Sequence, residues 1–249
     1  MVPIFWIVFL ITIDQTFAWN AAGHKLIANL AFNYCQPATQ IKITNELHAS
    51  NTNLASAAVW LDSVRFKKRY RYLQPYHYVS IPYGDRHYFP KQKNHVNALT
   101  ALSKAKKILL TSHEKERRIL ALRIILHVVA DIHQPLHACN YFSKTFTDGD
   151  RGGNLYPVPK MSGYQNLHAL WDDGAGVLAE EFAEGNCKVS RSKPRQWIKN
   201  SHILAIKYAY FPPKKDFQLY QQNTRKIAKK QIYIAACHLA AMLDEIYML

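Results

Sequence analysis

Apolar residues recur at helical spacing through most of the chain, which predicts a mainly α protein. "AAGHKLIANLAFNYC" (21 to 35) has this pattern, and 38 to 49 predicts a second, shorter helix. "NTNLASAAVWLDSVRF" (51 to 66) opens with polar cap candidates and turns apolar, predicting a third helix that carries Asp62 and Arg65. Residues 74 to 93 hold three prolines and many aromatics and read as an extended crossing segment. Further helices are expected over 94 to 111, 114 to 133, 166 to 182, 194 to 209 and 216 to 248, with a polar loop at 143 to 154 and a short strand at 155 to 158. The expectation is a single-domain multi-helix fold with a minor extended or β segment. No internal repeat or low-complexity linker interrupts it.

The first eighteen residues, "MVPIFWIVFLITIDQTFA", form an apolar segment about as long as the core of a signal peptide. They end in Thr16-Phe17-Ala18, with small residues where a signal peptidase requires them. Residues 1 to 18 are therefore expected to be cleaved, leaving a single helical domain over 19 to 249 that begins at Trp19. No later segment spans a membrane, and a secreted or periplasmic location follows. No Asn-x-Ser/Thr sequon occurs, which is compatible with a bacterial source. Export permits disulfides, and Cys35, Cys139, Cys187 and Cys237 allow three fully paired connectivities.

Charge narrows the partners. The chain carries a formal +15, and loss of the segment with Asp14 and no basic residue raises this to +16. The cations fall in short clusters at 67 to 71, 104 to 107, 115 to 118, 191 to 195 and 225 to 230. Each alone reads as a solvated face; together they favour nucleic acid or another anionic surface.

The candidate chemistry centres on "LHVVADIHQPLHACN" (126 to 140). His127 and Asp131 are one helical turn apart and share a face, whereas His133 points away and His137 lies beyond the Gln134-Pro135 break. One such pair is common on solvated helices. His168 and Asp172 repeat the spacing, however, and His24, Asp62 and His77 add to the pool. Five histidines and three aspartates exceed one tetrahedral site and point to several metals close together, as used in phosphoryl chemistry.

In order and spacing, "WNAAGH", "WLDSVR", "YHYV", "LHVVADIHQPLH", "GGN" and "NLHALWD" resemble the S1/P1 family of zinc-dependent single-strand nucleases and 3'-nucleotidases. The resemblance covers 19 to 172 and fades beyond. It implies the fold of that family and of zinc phospholipase C, with three Zn2+ ions in a cleft. Carried over, Asp62, His77, His127 and Asp131 hold one zinc. His24, Asp131 as a bridge, and the α-amino group and carbonyl of Trp19 hold a second, and His137, His168 and Asp172 hold the third. Asp62, Arg65 and Asn154 are implied as catalytic, the latter two binding phosphate oxygens, and Tyr78 is the candidate for stacking a base. The implied substrates are single-stranded DNA and RNA and 3'-nucleotides, hydrolysed by a monomer to 5'-phosphomonoesters. Ser80 stands where well-known members carry an acidic residue that bonds the base, so base preference does not transfer.

Two rivals remain. A phospholipase C of the same fold carries Glu where this chain has Asp172, and lacks the match at Arg65 and Asn154. A secreted basic protein that binds zinc or nucleic acid without turnover is the non-enzymatic alternative. The other histidines, including His133, receive no role, while Trp60 and Trp171 are expected to pack and Asp173 to be solvated.

Overall fold

Asn20, Asn53 and Asn97 each stop a helix from starting one residue earlier, because each side chain accepts the backbone N–H groups that the first turn leaves orphaned. In the computed structural model, which describes residues 19–91, 95–180, 182, 187, 192–210 and 216–248, they open α1 (Ala21–Tyr34), α3 (Leu54–Val64) and α4 (Ala98–Thr111). Pro37 and Pro194 sit at the first position of α2 (Pro37–Ala49) and α7 (Pro194–Leu204), where a missing N–H costs nothing. The remaining helices are α5 (Lys115–Asp131), α6 (Leu167–Asp172) and α8 (Phe217–Tyr247). The predicted signal peptide lies outside the described residues.

The core is helix on helix. α5 packs against α3, α4 and α8, and α1 packs against α3 and α8. The whole second half of α5, from Ile124 to Asp131, is buried, His127 and Asp131 included. Burying polar groups in this way costs several kcal/mol unless they find partners, so the core is built around its polar centre. Among the described residues, no helix is long and apolar enough to cross a membrane.

The mainly α expectation stands, with local departures. The strand expected at 155 to 158 is absent: Leu155 and Tyr156 close turns onto Asp150 and Gly153, and Pro157 and Pro159 have no N–H for a ladder. Two three-residue strands occur instead, β1 (Pro82–Gly84) and β2 (Asn140–Phe142), paired in parallel with Tyr83 opposite Tyr141. The crossing segment is not fully extended, since 3-10 turns cover Lys68–His77 and Arg86–Tyr88. The helix expected over 166 to 182 breaks after Asp172, because Gly174, Ala175 and Gly176 all adopt positive φ. Of the four cysteines, only Cys187 and Cys237 join; Cys35 and Cys139 are separate buried thiols, so none of the fully paired connectivities occurs.

Candidate metal centre and cleft

Three helix ends and one 3-10 stretch converge at this centre. His24 comes from the first turn of α1, Asp62 from the last turn of α3, and His127 and Asp131 from α5. His77 ends the 3-10 stretch that crosses over them. Asp131 lies between the three rings: its Oδ1 is 3.3 Å from His24 Nε2, and its Oδ2 is 3.1 Å from His77 Nδ1 and 3.5 Å from His127 Nε2. His24 and His127 stack with centroids 3.8 Å apart. Asp62 is only 6% exposed, yet neither carboxylate oxygen receives a hydrogen bond. A buried carboxylate left this way costs heavily unless a cation satisfies it.

A neighbouring group joins His137, His168 and Asp172. His137 Nε2 and His168 Nε2 face each other at 3.3 Å, and Asp172 Oδ2 lies 3.4 Å from His168 Nε2. Three sets of side chains thus have ligand atoms close enough for a metal ion: His24, Asp62 and His127; His77, His127 and Asp131; and His137, His168 and Asp172.

Backbone carbonyls fix the rings. His127 Nδ1 donates to Ala58 O at 2.7 Å, His137 Nδ1 to His77 O at 2.7 Å and His168 Nδ1 to Gly152 O at 2.6 Å. The proton is thereby held on Nδ1 and the Nε2 lone pair is aimed into the group, the usual support for a metal-ligating imidazole. Burial keeps the same rings neutral, pulling His127 and His137 down and His168 down to about 3. Burial opposes ionisation of Asp131, but hydrogen bonds from His24 and His77 help to hold the carboxyl well below its ordinary range. Asp172 is driven the other way by burial, against a hydrogen bond of 2.7 Å from Gln134 Nε2. Neutral imidazoles facing carboxylates are the donor set that zinc takes.

Trp19 is seated beside both groups. Its indole is fully buried and donates to Ala130 O at 3.0 Å, next to Asp131, while the following amide, Asn20 N, donates to Asp172 O at 3.0 Å. Gly23 permits this: a Cβ there would stand 2.9 Å from Trp19 Cβ. Asp173, expected to be solvated, instead accepts from Asn20 Nδ2 and from Tyr164 Oη, tying down the start of the described chain.

Outside the metal groups a cleft of about 450 Å³ opens, lined by Arg65, Tyr78, Ser80 and Asn154 together with His77, His137 and His168. Arg65 Nη1 is 4.0 Å from Asp62 Oδ1, and Tyr78 is 41% exposed. Asn154 Nδ2 donates to Arg151 O at 2.7 Å and retains a second N–H.

Two supporting residues escape sequence reasoning. Buried Asp150 accepts from the backbone N–H groups of Tyr141, Gly152 and Gly153 and from Tyr210 Oη, and so shapes the loop that offers Gly152 O to His168. Gln134 holds Asp172, and its place in the helix-terminating "HQP" step was the available signal. His133 belongs elsewhere: it bonds Val129 O and His238 and packs on Trp197.

The sequence pattern described as S1/P1 Nuclease matches residues 19–192, more than half of the chain. Among curated proteins the chain is similar to Nuclease S1 of Aspergillus oryzae, 28% identical over 181 residues covering 68% of this chain and 58% of that protein. It is also similar to Nuclease P1 of Penicillium citrinum, 26% identical over 166 residues covering 62% and 57%. Endonuclease 1 of Arabidopsis thaliana aligns over 289 positions at 24% identity, covering 97% and 91%. The chain spans less than two thirds of the length of the first two. The ordered motifs, the helical fold and this match together establish that the chain belongs to the S1/P1 nuclease family.

Proposed function

We propose that the chain, cleaved before Trp19 and exported, is a zinc-dependent phosphodiesterase. It would cut single-stranded DNA and RNA to 5'-phosphomononucleotides and remove phosphate from 3'-nucleotides. The observation that carries this reading is that two of the three ligand groups open, through His77 and through His137 and His168, onto one cleft lined by an arginine, an asparagine and an exposed tyrosine, and that the third group shares His127 with the first of these. Asp62, His77, His127 and Asp131 would hold one zinc, His24, Asp131 and the Trp19 terminus a second, and His137, His168 and Asp172 a third. Zinc in such a cluster supplies Lewis acidity, lowering the pKa of water and neutralising charge at phosphorus.

The protein groups do the rest. Arg65 and the second N–H of Asn154 bind the non-bridging phosphate oxygens and stabilise the charge that grows on them. The oxygen of water joins phosphorus as the bond to the 3'-oxygen breaks, so phosphate stays on the 5' side. Tyr78 stacks the base beside the scissile bond, worth about 1 to 3 kcal/mol, which a stiff duplex cannot supply in a recessed site.

Hydrolysis of single-stranded DNA and phosphatidylcholine, compared after chelation and after zinc is restored, tests the proposal. Zinc-restored cleavage of DNA alone is expected. Lipid cleavage would move the chain to the phospholipase branch, and activity on neither would leave a zinc-binding protein without turnover.

A further inference from the structure

The basic clusters are not equivalent. Lys106 pairs with Glu245 at 2.6 Å, Arg117 with Glu114, Arg118 with Glu46, and Arg225 and Lys229 with Glu180. Cluster 67 to 71 differs from these three, and unlike Lys193 and Arg195, which also lack a carboxylate partner among the described ion pairs, it adjoins the cleft at Phe66. Among the described residues no ion pair joins Lys67, Lys68, Arg69 or Arg71 to a carboxylate, and the sequence holds no acidic residue from Ser63 to Gly84. All four are exposed.

Their setting adds a second observation. Phe66 and Tyr72, which flank these cations, are 53% and 54% exposed. The stretch leaves the cleft at Arg65 and Phe66 and returns to it at Gln74 and His77, and Gln74 Nε2 closes the excursion by donating to Arg65 O at 3.2 Å. Leu73 is buried and Tyr70 packs edge-on against Trp60 at 5.0 Å, so the ledge is anchored from below. The result is a rim of exposed cations flanked by two exposed rings, Tyr72 and Phe66, the latter overlain on one face by the Arg65 guanidinium at 4.7 Å, and it starts beside the ligand groups.

We propose that Phe66 to Tyr72 is a binding track for single-stranded nucleic acid, extending the cleft beyond the scissile phosphate. The cations follow successive phosphates, and Phe66 and Tyr72 offer faces to splayed bases, the two components of sequence-independent strand binding. This rests on the nucleic-acid reading of the cleft. It predicts that a polynucleotide is held at more points than a 3'-mononucleotide, which ends inside the cleft.

The test is fluorescence anisotropy of the zinc-loaded protein with an oligothymidylate whose phosphorothioate linkages resist cleavage, measured across a salt series. Four proteins are compared: unaltered, K67Q/K68Q, Y72A, and K226Q/K230Q, which removes equal charge from α8. For K67Q/K68Q the expected loss is about tenfold or more at ~0.1 M salt, with the slope of log K against log salt shallower by about 1.4, since each single-strand phosphate contact contributes about 0.7. Y72A should weaken binding about fivefold with the slope unchanged. K226Q/K230Q should stay within about twofold. If K67Q/K68Q behaves as K226Q/K230Q does, the track is refuted even in a protein that cuts DNA. If the oligonucleotide is bound through the ledge and natural DNA is never cut, the track stands and the nuclease reading falls. Loss of phosphatidylserine-vesicle binding in K67Q/K68Q, with oligonucleotide binding unchanged, would overturn the track in favour of a lipid surface.

Discussion

His137 and His168 point their Nε2 atoms at each other across 3.3 Å while both Nδ1 protons are engaged by backbone carbonyls. Two lone pairs so placed repel unless a cation lies between them. Burial removes the other remedy, protonation, by driving both pKa values down, that of His168 to about 3. The arrangement makes sense as a metal site.

Metal content should therefore follow the ligand sharing. Asp131 presents one oxygen to His24 and the other to His77 and His127, so Asp131→Ala is expected to lose two of three zincs and Asp172→Ala one. Elemental analysis of the purified variants decides it. Equal losses would refute the shared carboxylate.

Asp150 acts on the site through Gly152. It accepts three backbone N–H groups, and Asn in its place must turn its amide N–H groups toward one of those donors. Asp150→Asn is expected to cost about 3 kcal/mol of stability, the scale for hydrogen bonds to a buried charge. Thermal melts and zinc content should fall together, because Gly152 O orients His168. A variant with the unaltered melt would show that the loop is held by other contacts.

Arg65 should separate chemistry from assembly. Its guanidinium lies 4.0 Å from Asp62 and lines the cleft, yet it offers no ligand atom. Arg65→Ala is expected to keep full zinc and lower kcat about 100-fold, the scale for losing one preorganised charge donor at a transition state. Steady-state kinetics beside elemental analysis would read both. Unchanged kcat would remove Arg65 from the site.

The ligands were legible because metal chemistry restricts them to His and Asp at turn spacing, and ordered motifs from Trp19 to Asp172 carry that signal. The supports were not. Asp150 accepts from backbone N–H groups that any sequence supplies, and Gln134 meets Asp172 side chain to side chain across 38 positions, a pairing the "HQP" step marks at one end without naming its partner. The break after Asp172 was missed because apolar spacing continues into Val177 and Leu178, while the positive φ at Gly174, Ala175 and Gly176 that ends the helix depends on tertiary contacts. Arg225, for example, donates to Ala175 O from α8. The chain beyond Asp172 carried no motif because it works by packing: α8 covers α1, and its Gln231 caps His133 O.

The thiols give a check on the cysteine pairing. Burial, aided by Asp244 for Cys35 and by Asp150 for Cys139, pushes each pKa up to about 12. A raised thiol pKa means the neutral form persists, leaving a thiolate fraction near ~10⁻⁴ at pH 8, and only the thiolate reacts. A thiol reagent at pH 8 is expected to find no groups in folded protein, two after unfolding without reductant and four after reduction. Four before reduction would refute the Cys187–Cys237 bond.

The sharpest consequence concerns Trp19. Its indole is held by Ala130 O and its neighbour's amide by Asp172 O, so the residue is seated whether or not anything precedes it. Cleavage before Trp19 would change only its nitrogen. As an amine that nitrogen has a lone pair for a metal, and as a peptide the pair is delocalised into the carbonyl. Protein carrying one extra residue before Trp19 is therefore expected to fold with a near-normal circular dichroism spectrum, hold two zincs in place of three, and lose about tenfold or more in kcat. Elemental analysis of the two N-terminal forms, made side by side, tests this directly. Three zincs in the extended form would exclude the amine as a required ligand and leave His24, Asp131 and the Trp19 carbonyl to hold the second ion.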